Sequence, residues 1–123
     1  MNKIYVLGSF CLLFLFLSLC ACSTGPSFPY GTFVGPADFY HVVLKKDGSF
    51  TFLDNKTVTS EGTFSIHGNE LTWETDSHCA AVDAQKATYT WTFDNDNLEL
   101  DVKGNDKCTD RLNVYRFPYH LQQ

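Results

Sequence analysis

The sequence predicts an all-β protein, a small antiparallel meander β-barrel of about seven or eight strands. Three observations carry this. Apolar and polar residues alternate with period two along most of the chain after Gly31, the segments are separated by residues suited to tight hairpins, and the connections are too short to join anything but antiparallel neighbours. One-sidedly apolar strands in simple sequence order bury their faces by curling into a barrel.

The elements follow in order. Gly31–Val34 and Phe39–Leu44 open the series as less regular strands. Ser49–Leu53 puts Phe50 and Phe52 on one face. Thr57–Ile66 sets Val58, Gly62, Phe64 and Ile66 inward against Thr57, Thr59, Glu61, Thr63 and Ser65. Glu70–Thr75 offers Leu71 and Trp73. Ala87–Phe93 alternates strictly, with Ala87, Tyr89, Trp91 and Phe93 against Thr88, Thr90 and Thr92. Leu98–Val102 continues the pattern, and Leu112–Phe117 is read as the last strand; no stretch suits a helix of any consequence. The separators are Asp47-Gly48, Asp54-Asn55-Lys56, His67-Gly68-Asn69 and Asp94-Asn95-Asp96-Asn97, whose residues tolerate positive φ or bond their own backbone. Two longer connections, Asp76–Lys86 and Lys103–Asp110, each hold one cysteine.

Residues 1–21 form a separate object, with one charge, Lys3, followed by an apolar run from Ile4 to Leu19: the layout of a secretory signal. Its end, Leu19-Cys20-Ala21-Cys22, resembles the lipobox of bacterial lipoproteins, in which Leu at −3 and a small residue at −1 precede a cysteine that receives a diacylglycerol. Cys22 fits that pattern; Cys20, with Leu19 at −1, does not. The resemblance implies a lipoprotein signal peptide over 1–21, a flexible tether over 22–29 and a barrel domain over 30–119, held at the membrane by acyl chains. Ser23 after the cysteine resembles the outer-membrane sorting signal, should the host be Gram-negative. Competing readings are ordinary cleavage near Ser23 and an uncleaved anchor of about 18 apolar residues.

Once Cys11, Cys20 and Cys22 are set aside, Cys79 and Cys108 remain. In an oxidising envelope a pair in a small domain forms a disulfide more often than two free thiols, and a bridge closing about 30 residues contributes about 3.5 kcal/mol on the chain-entropy model. The alternative, a metal site using His78 beside Cys79, lacks a C-x-x-C spacing and a second cluster.

Gly31-Thr32-Phe33, Asp47-Gly48-Ser49-Phe50, Glu61-Gly62-Thr63-Phe64, Tyr89-Thr90-Trp91, Leu98-Glu99-Leu100 and Asp106-Lys107-Cys108-Thr109-Asp110-Arg111 together resemble small lipocalin-like (calycin-type) domains of bacterial secreted proteins. Their distinctive elements are Y-x-W and D-x-C-x-x-R. The resemblance implies a structural role for Arg111, over an aromatic such as Trp91 or paired with Asp106 or Asp110; an anion clamp is the functional alternative. The pattern departs at Phe33, where the family carries a tryptophan.

Composition narrows the function. Without Lys3 the chain has 8 basic and 14 acidic residues, a net charge of −6, so no basic face for nucleic acid is expected. His41, His67, His78 and His120 are scattered, no nucleophile-and-base pattern, paired carboxylates or metal motif stands out, and the Asp94–Asp96 turn is too short for a calcium loop. The expectation is therefore a non-enzyme without cofactor: a lipid-anchored interaction module of the cell envelope, similar in size and anchoring to lipoprotein lysozyme inhibitors, although Ser60-Glu61-Gly62 does not reproduce their S-G-x-x-Y loop. The alternative is a carrier of a small apolar ligand lined by Phe52, Phe64, Trp73, Tyr89 and Trp91, opening at the end of the barrel away from Cys79 and Cys108.

Overall fold

The computed structural model describes residues 25–123. They form a closed eight-strand antiparallel barrel in sequence order: β1 (Gly31–Val34), β2 (Tyr40–Leu44), β3 (Ser49–Asp54), β4 (Thr57–His67), β5 (Glu70–Asp76), β6 (Ala87–Asp94), β7 (Asn97–Val102) and β8 (Tyr119–Leu121). The barrel closes where β8 lies between β7 and β1, with Leu98 opposite Tyr119 and Phe33 opposite Leu121.

Turn chemistry fixes the register. Asn55 and Lys56 (φ 46° and 67°), like Asn95 and Asp96 (φ 49° and 63°), take the two left-handed positions of two-residue hairpins. Asp47 accepts hydrogen bonds from the Ser49 backbone N–H (2.8 Å) and hydroxyl (2.6 Å), which closes the turn before β3.

Two poles result. One carries the β2–β3, β4–β5 and β6–β7 turns and the start of β1. The other carries the β3–β4 turn, the long connections after β5 and β7, and a short helix, α1 (Thr109–Tyr115). Phe28, placed in the tether by sequence reading, is buried at the first pole against Trp91 and Phe64, with ring centroids 5.2 and 6.1 Å away.

The segment read as a last strand, Leu112–Phe117, is mostly α1, and the true closing strand follows Pro118. Arg111 and Tyr115, four residues apart, share one helical face and are both buried, a period that the Leu112/Val114 alternation masks. Val58 is the second departure: it is 49% exposed. Phe52 pairs with Ser60 and Leu53 with Val58, so Thr59 is a bulge residue and everything before it changes face. A second bulge at Glu74 separates the Thr63–Thr75 and Phe64–Trp73 pairs and turns Asp76 into the interior.

The interior is filled. Phe33, Leu71 and Trp73 have no exposed surface, and Trp73 stacks on Tyr115 (4.7 Å, 21°) while Phe50 meets it edge-on at 4.7 Å. Gly62 is required by close approach: a Cβ there would collide with the Thr75 carbonyl beside the second bulge and press on the Phe50 ring. Gly62→Ala is expected to destabilise the domain by about 1–3 kcal/mol through overpacking, read as a lower urea midpoint; an unchanged midpoint would show that the β4–β5 backbone has room to give.

Candidate functional site

The pole bearing α1 holds the polar chemistry of the molecule. The second bulge brings Asp76 inward at the end of β5, the turn after β7 presents Asp106, and α1 presents Arg111; all three are at most 4% exposed. Arg111 binds Asp106 through two parallel bonds, Nε to Oδ2 and Nη2 to Oδ1, each 2.7 Å. Its remaining donors reach the carbonyls of Gln85 and Ala84, both 2.8 Å, and Asp76 Oδ2 at 3.4 Å. All five guanidinium N–H groups are therefore engaged within the protein. An anion clamp needs free donors, and Arg111 has none to offer. The expected pairings with Asp110 and Trp91 are also replaced: Asp110 instead lies 3.0 Å from His78 Nε2, and the Trp91 indole N–H donates to the Gly68 carbonyl (3.0 Å).

Asp106 is equally saturated. Beyond Arg111 it accepts from the Tyr89 hydroxyl (2.6 Å) and the Cys108 backbone N–H (2.9 Å). Burial opposes its charge, but the bonds from Arg111, Tyr89 and Cys108 outweigh that and hold its carboxyl below the usual carboxylate range. Burial together with the same carboxylate keeps the Tyr89 phenol far above its ordinary range, so it stays a donor. Asp76 accepts from the Ser60 hydroxyl and, on the same Oδ1, from the His78 backbone N–H (3.0 Å). Gln85 stitches the loop together, accepting from the Asp76 backbone N–H (2.6 Å) and donating to the Cys79 carbonyl.

Cys79 and Cys108 form a disulfide, with Cα atoms 5.6 Å apart, tying the two long connections to each other beside this network. The metal alternative thereby loses its thiolate, and His78 is turned to Asp110. Cys22 lies outside the described residues.

Above the network opens a cleft of about 260 Å³, walled by Tyr40, Phe52 and Tyr115 and by the carboxylates Asp54, Asp76 and Asp110. This cleft opens at the disulfide-stapled end; at the other pole, where Phe28 packs over the barrel interior, a second cleft of about 400 Å³ is walled by Pro26, Ser27, Gly68, Trp91 and Phe93. Of the five aromatics proposed as lining, Phe52 lines the first cleft and Trp91 the second, while Phe64, Trp73 and Tyr89 line neither and belong to the packed core. Sequence reading missed Asp76, Ser60 and Tyr115. Asp76 falls out of phase with Leu71 and Trp73, and only the bulge turns it inward.

Comparison of the chain with protein-family models, with curated proteins and with solved structures returns no match.

Asp106→Asn is expected to cost about 3–5 kcal/mol, because it leaves the Arg111 charge buried with only the distant Asp76 oxygen. The sign with pH follows from the lowered carboxyl: the Asp106 contribution is complete above the ordinary value of 3.8 and is lost as the pH falls through the lower folded value. The gap between wild type and variant should be flat from neutral pH to about pH 5 and close in stronger acid. Denaturant melts across that range test it, and a gap that widens on acidification would contradict the assignment.

Proposed function

We propose that this protein is a lipid-anchored component of the bacterial cell envelope, attached through Cys22, whose lipocalin-like barrel is a non-catalytic module that docks a basic envelope protein. The observation that carries this reading is a filled interior beside an exposed apolar outer face. Val34, Leu53 and Val58, with His41 among them, stand side by side on the outer side of β1 to β4, Val58 exposed and the others half-buried. Phe39, 55% exposed, lies in the turn that leads into β2 at the same end of these strands. Single exposed apolar residues are ordinary, whereas a contiguous apolar row of this kind supports a docking reading.

Charge complementarity points to the partner. The chain after Lys3 carries a net charge of −6, which repels anionic headgroups and favours encounter with a cationic protein. The polarity of the barrel fits the anchor: the chain enters at the Phe28 pole, and the cleft and the Phe39–Val58 face lie toward the other. A module tethered by residues before Phe28 would stand off the bilayer with its working end outward. If the host is Gram-negative, Ser23 directs this to the outer membrane.

Cys22→Ser is expected to abolish labelling by a radioactive fatty acid and to move the protein out of the membrane fraction; continued labelling would remove the anchor from the proposal. Cross-linking with the acylated full chain should capture a basic protein through residues around Leu53, with capture lost in Val58→Asp and weakened between about 50 and 200 mM salt. Val58 lies on the surface, so that variant should melt like wild type. Capture that survives Val58→Asp, or no reproducible partner, would overturn the docking reading.

A further inference from the structure

The cleft over the ion network has a chemistry of its own that the outer-face reading does not use. Its charge is one-sided. Arg111 forms part of the wall, but its charge is matched by the two-bond pair with Asp106 and all its N–H groups point into the protein. No lysine lines the cleft, while Asp54, Asp76 and Asp110 all do. The one imidazole, His78, sits on Asp110. Asp76 is the group with capacity to spare: Oδ1 takes both short bonds, and Oδ2 has only the 3.4 Å approach of Arg111 Nη1.

An independent observation comes from the tyrosines. Three hydroxyls belong to buried residues. That of Tyr89 donates to Asp106 and that of Tyr119 to the Val114 carbonyl (2.8 Å), whereas that of Tyr115 has no hydrogen-bond partner among the described residues. Tyr115 is 3% exposed, and its side chain forms part of the cleft wall. That hydroxyl is left to bond whatever occupies the cleft. The remaining wall is aromatic, with Phe52 between Tyr40 (5.5 Å) and Tyr115 (6.0 Å).

We propose that this cleft binds a small organic cation, an alkylammonium or alkylguanidinium group, with Asp76 and the Tyr115 hydroxyl at its floor, Asp54 and Asp110 at its mouth and the Tyr40–Phe52 rings against its alkyl stem. Aromatic faces and carboxylates together select a cation with an apolar stem over a hydrated metal ion. A volume of about 260 Å³ is below the roughly 300–1,000 Å³ of sites for drug-sized ligands, so the occupant is the size of one side chain. Either a free amine or a lysine or arginine displayed by a protein supplies that chemistry.

The test uses the full chain in a neutral maltoside detergent. Butylammonium and butylguanidinium should produce saturable shifts of the Asp76 and Tyr115 amide resonances and a change in emission from Trp73, which stacks on Tyr115. Butyrate and 1-butanol, equal in stem, should produce neither. Asp76→Asn disturbs Arg111, so the informative variants are Tyr115→Phe and the surface pair Asp54→Asn with Asp110→Asn. Each is expected to weaken cation binding about tenfold with melting behaviour retained. The source is resolved by acetyl-Gly-Arg-Gly-amide: tighter binding than butylguanidinium assigns the cleft to a protein side chain, and weaker binding assigns it to a free amine. Equal binding of butylammonium and 1-butanol, or no saturation by either cation, or unchanged affinity in Tyr115→Phe, would overturn the proposal. The Val58→Asp variant should bind the cations normally, so failure of the cleft and failure of the outer-face docking are separable.

Discussion

The buried pair of Asp106 and Arg111 is the constraint on which the α1 pole depends. Five separate stretches meet on it: the end of β5 through Asp76, the loop carbonyls of Ala84 and Gln85, β6 through the Tyr89 hydroxyl, the Asp106–Cys108 turn, and α1. Taking these charges out of water is expensive, and the arrangement is tolerable because each donor of the guanidinium and each oxygen of Asp106 has a partner. Arrangement, not net energy, is what such a pair supplies. A seven-residue helix has little stability alone, and here its buried face is held by one charged and one aromatic residue a turn apart. The neighbouring disulfide restrains the same two connections in the unfolded chain, so covalent and ionic ties act on one structure from opposite sides of the folding equilibrium.

Much of the barrel was legible because strand alternation is a local signal. β3, β6 and β7 coincide closely with the segments read from period-two patterns, and the Asn55-Lys56 and Asn95-Asp96 turns have the backbone their residues favour. What was illegible depends on long-range partners. A bulge is a mismatch between two strands, so neither the outward turn of Val58 nor the inward turn of Asp76 is written in one strand alone. The helix was misread because Leu112 and Val114 mimic a strand while its real anchors, Arg111 and Tyr115, include a charged residue that a hydrophobic pattern discounts. The D-x-C-x-x-R run was visible, and of the pairings read for Arg111 the structure makes the one with Asp106, adds Asp76, and leaves Asp110 to His78.

The two poles divide the labour. At one, Phe28 and Tyr30 fold back over Phe64 and Trp91 and shut the barrel with aromatic bulk. At the other, the same bulk stops short, and Phe52 and Tyr115 become the wall of a cleft whose charged part rests on the ion network. The core is thus a solid platform, with Trp73 linking the two regions through Phe64 on one side and Tyr115 on the other. Rigid support of this kind is what a recognition surface requires if its polar groups are to be positioned before contact.

The closing strand carries a consequence for how the molecule is made. β8 has three residues, and it is the piece that joins β7 to β1, strands separated by most of the chain. In the folding chain Phe33 and Val34 stand on an open sheet edge until Tyr119–Leu121 dock against it. Ring closure is therefore a late event whose slow, long-range search leaves the open sheet exposed in the meantime. Until then the edge is a place where one copy could pair with another.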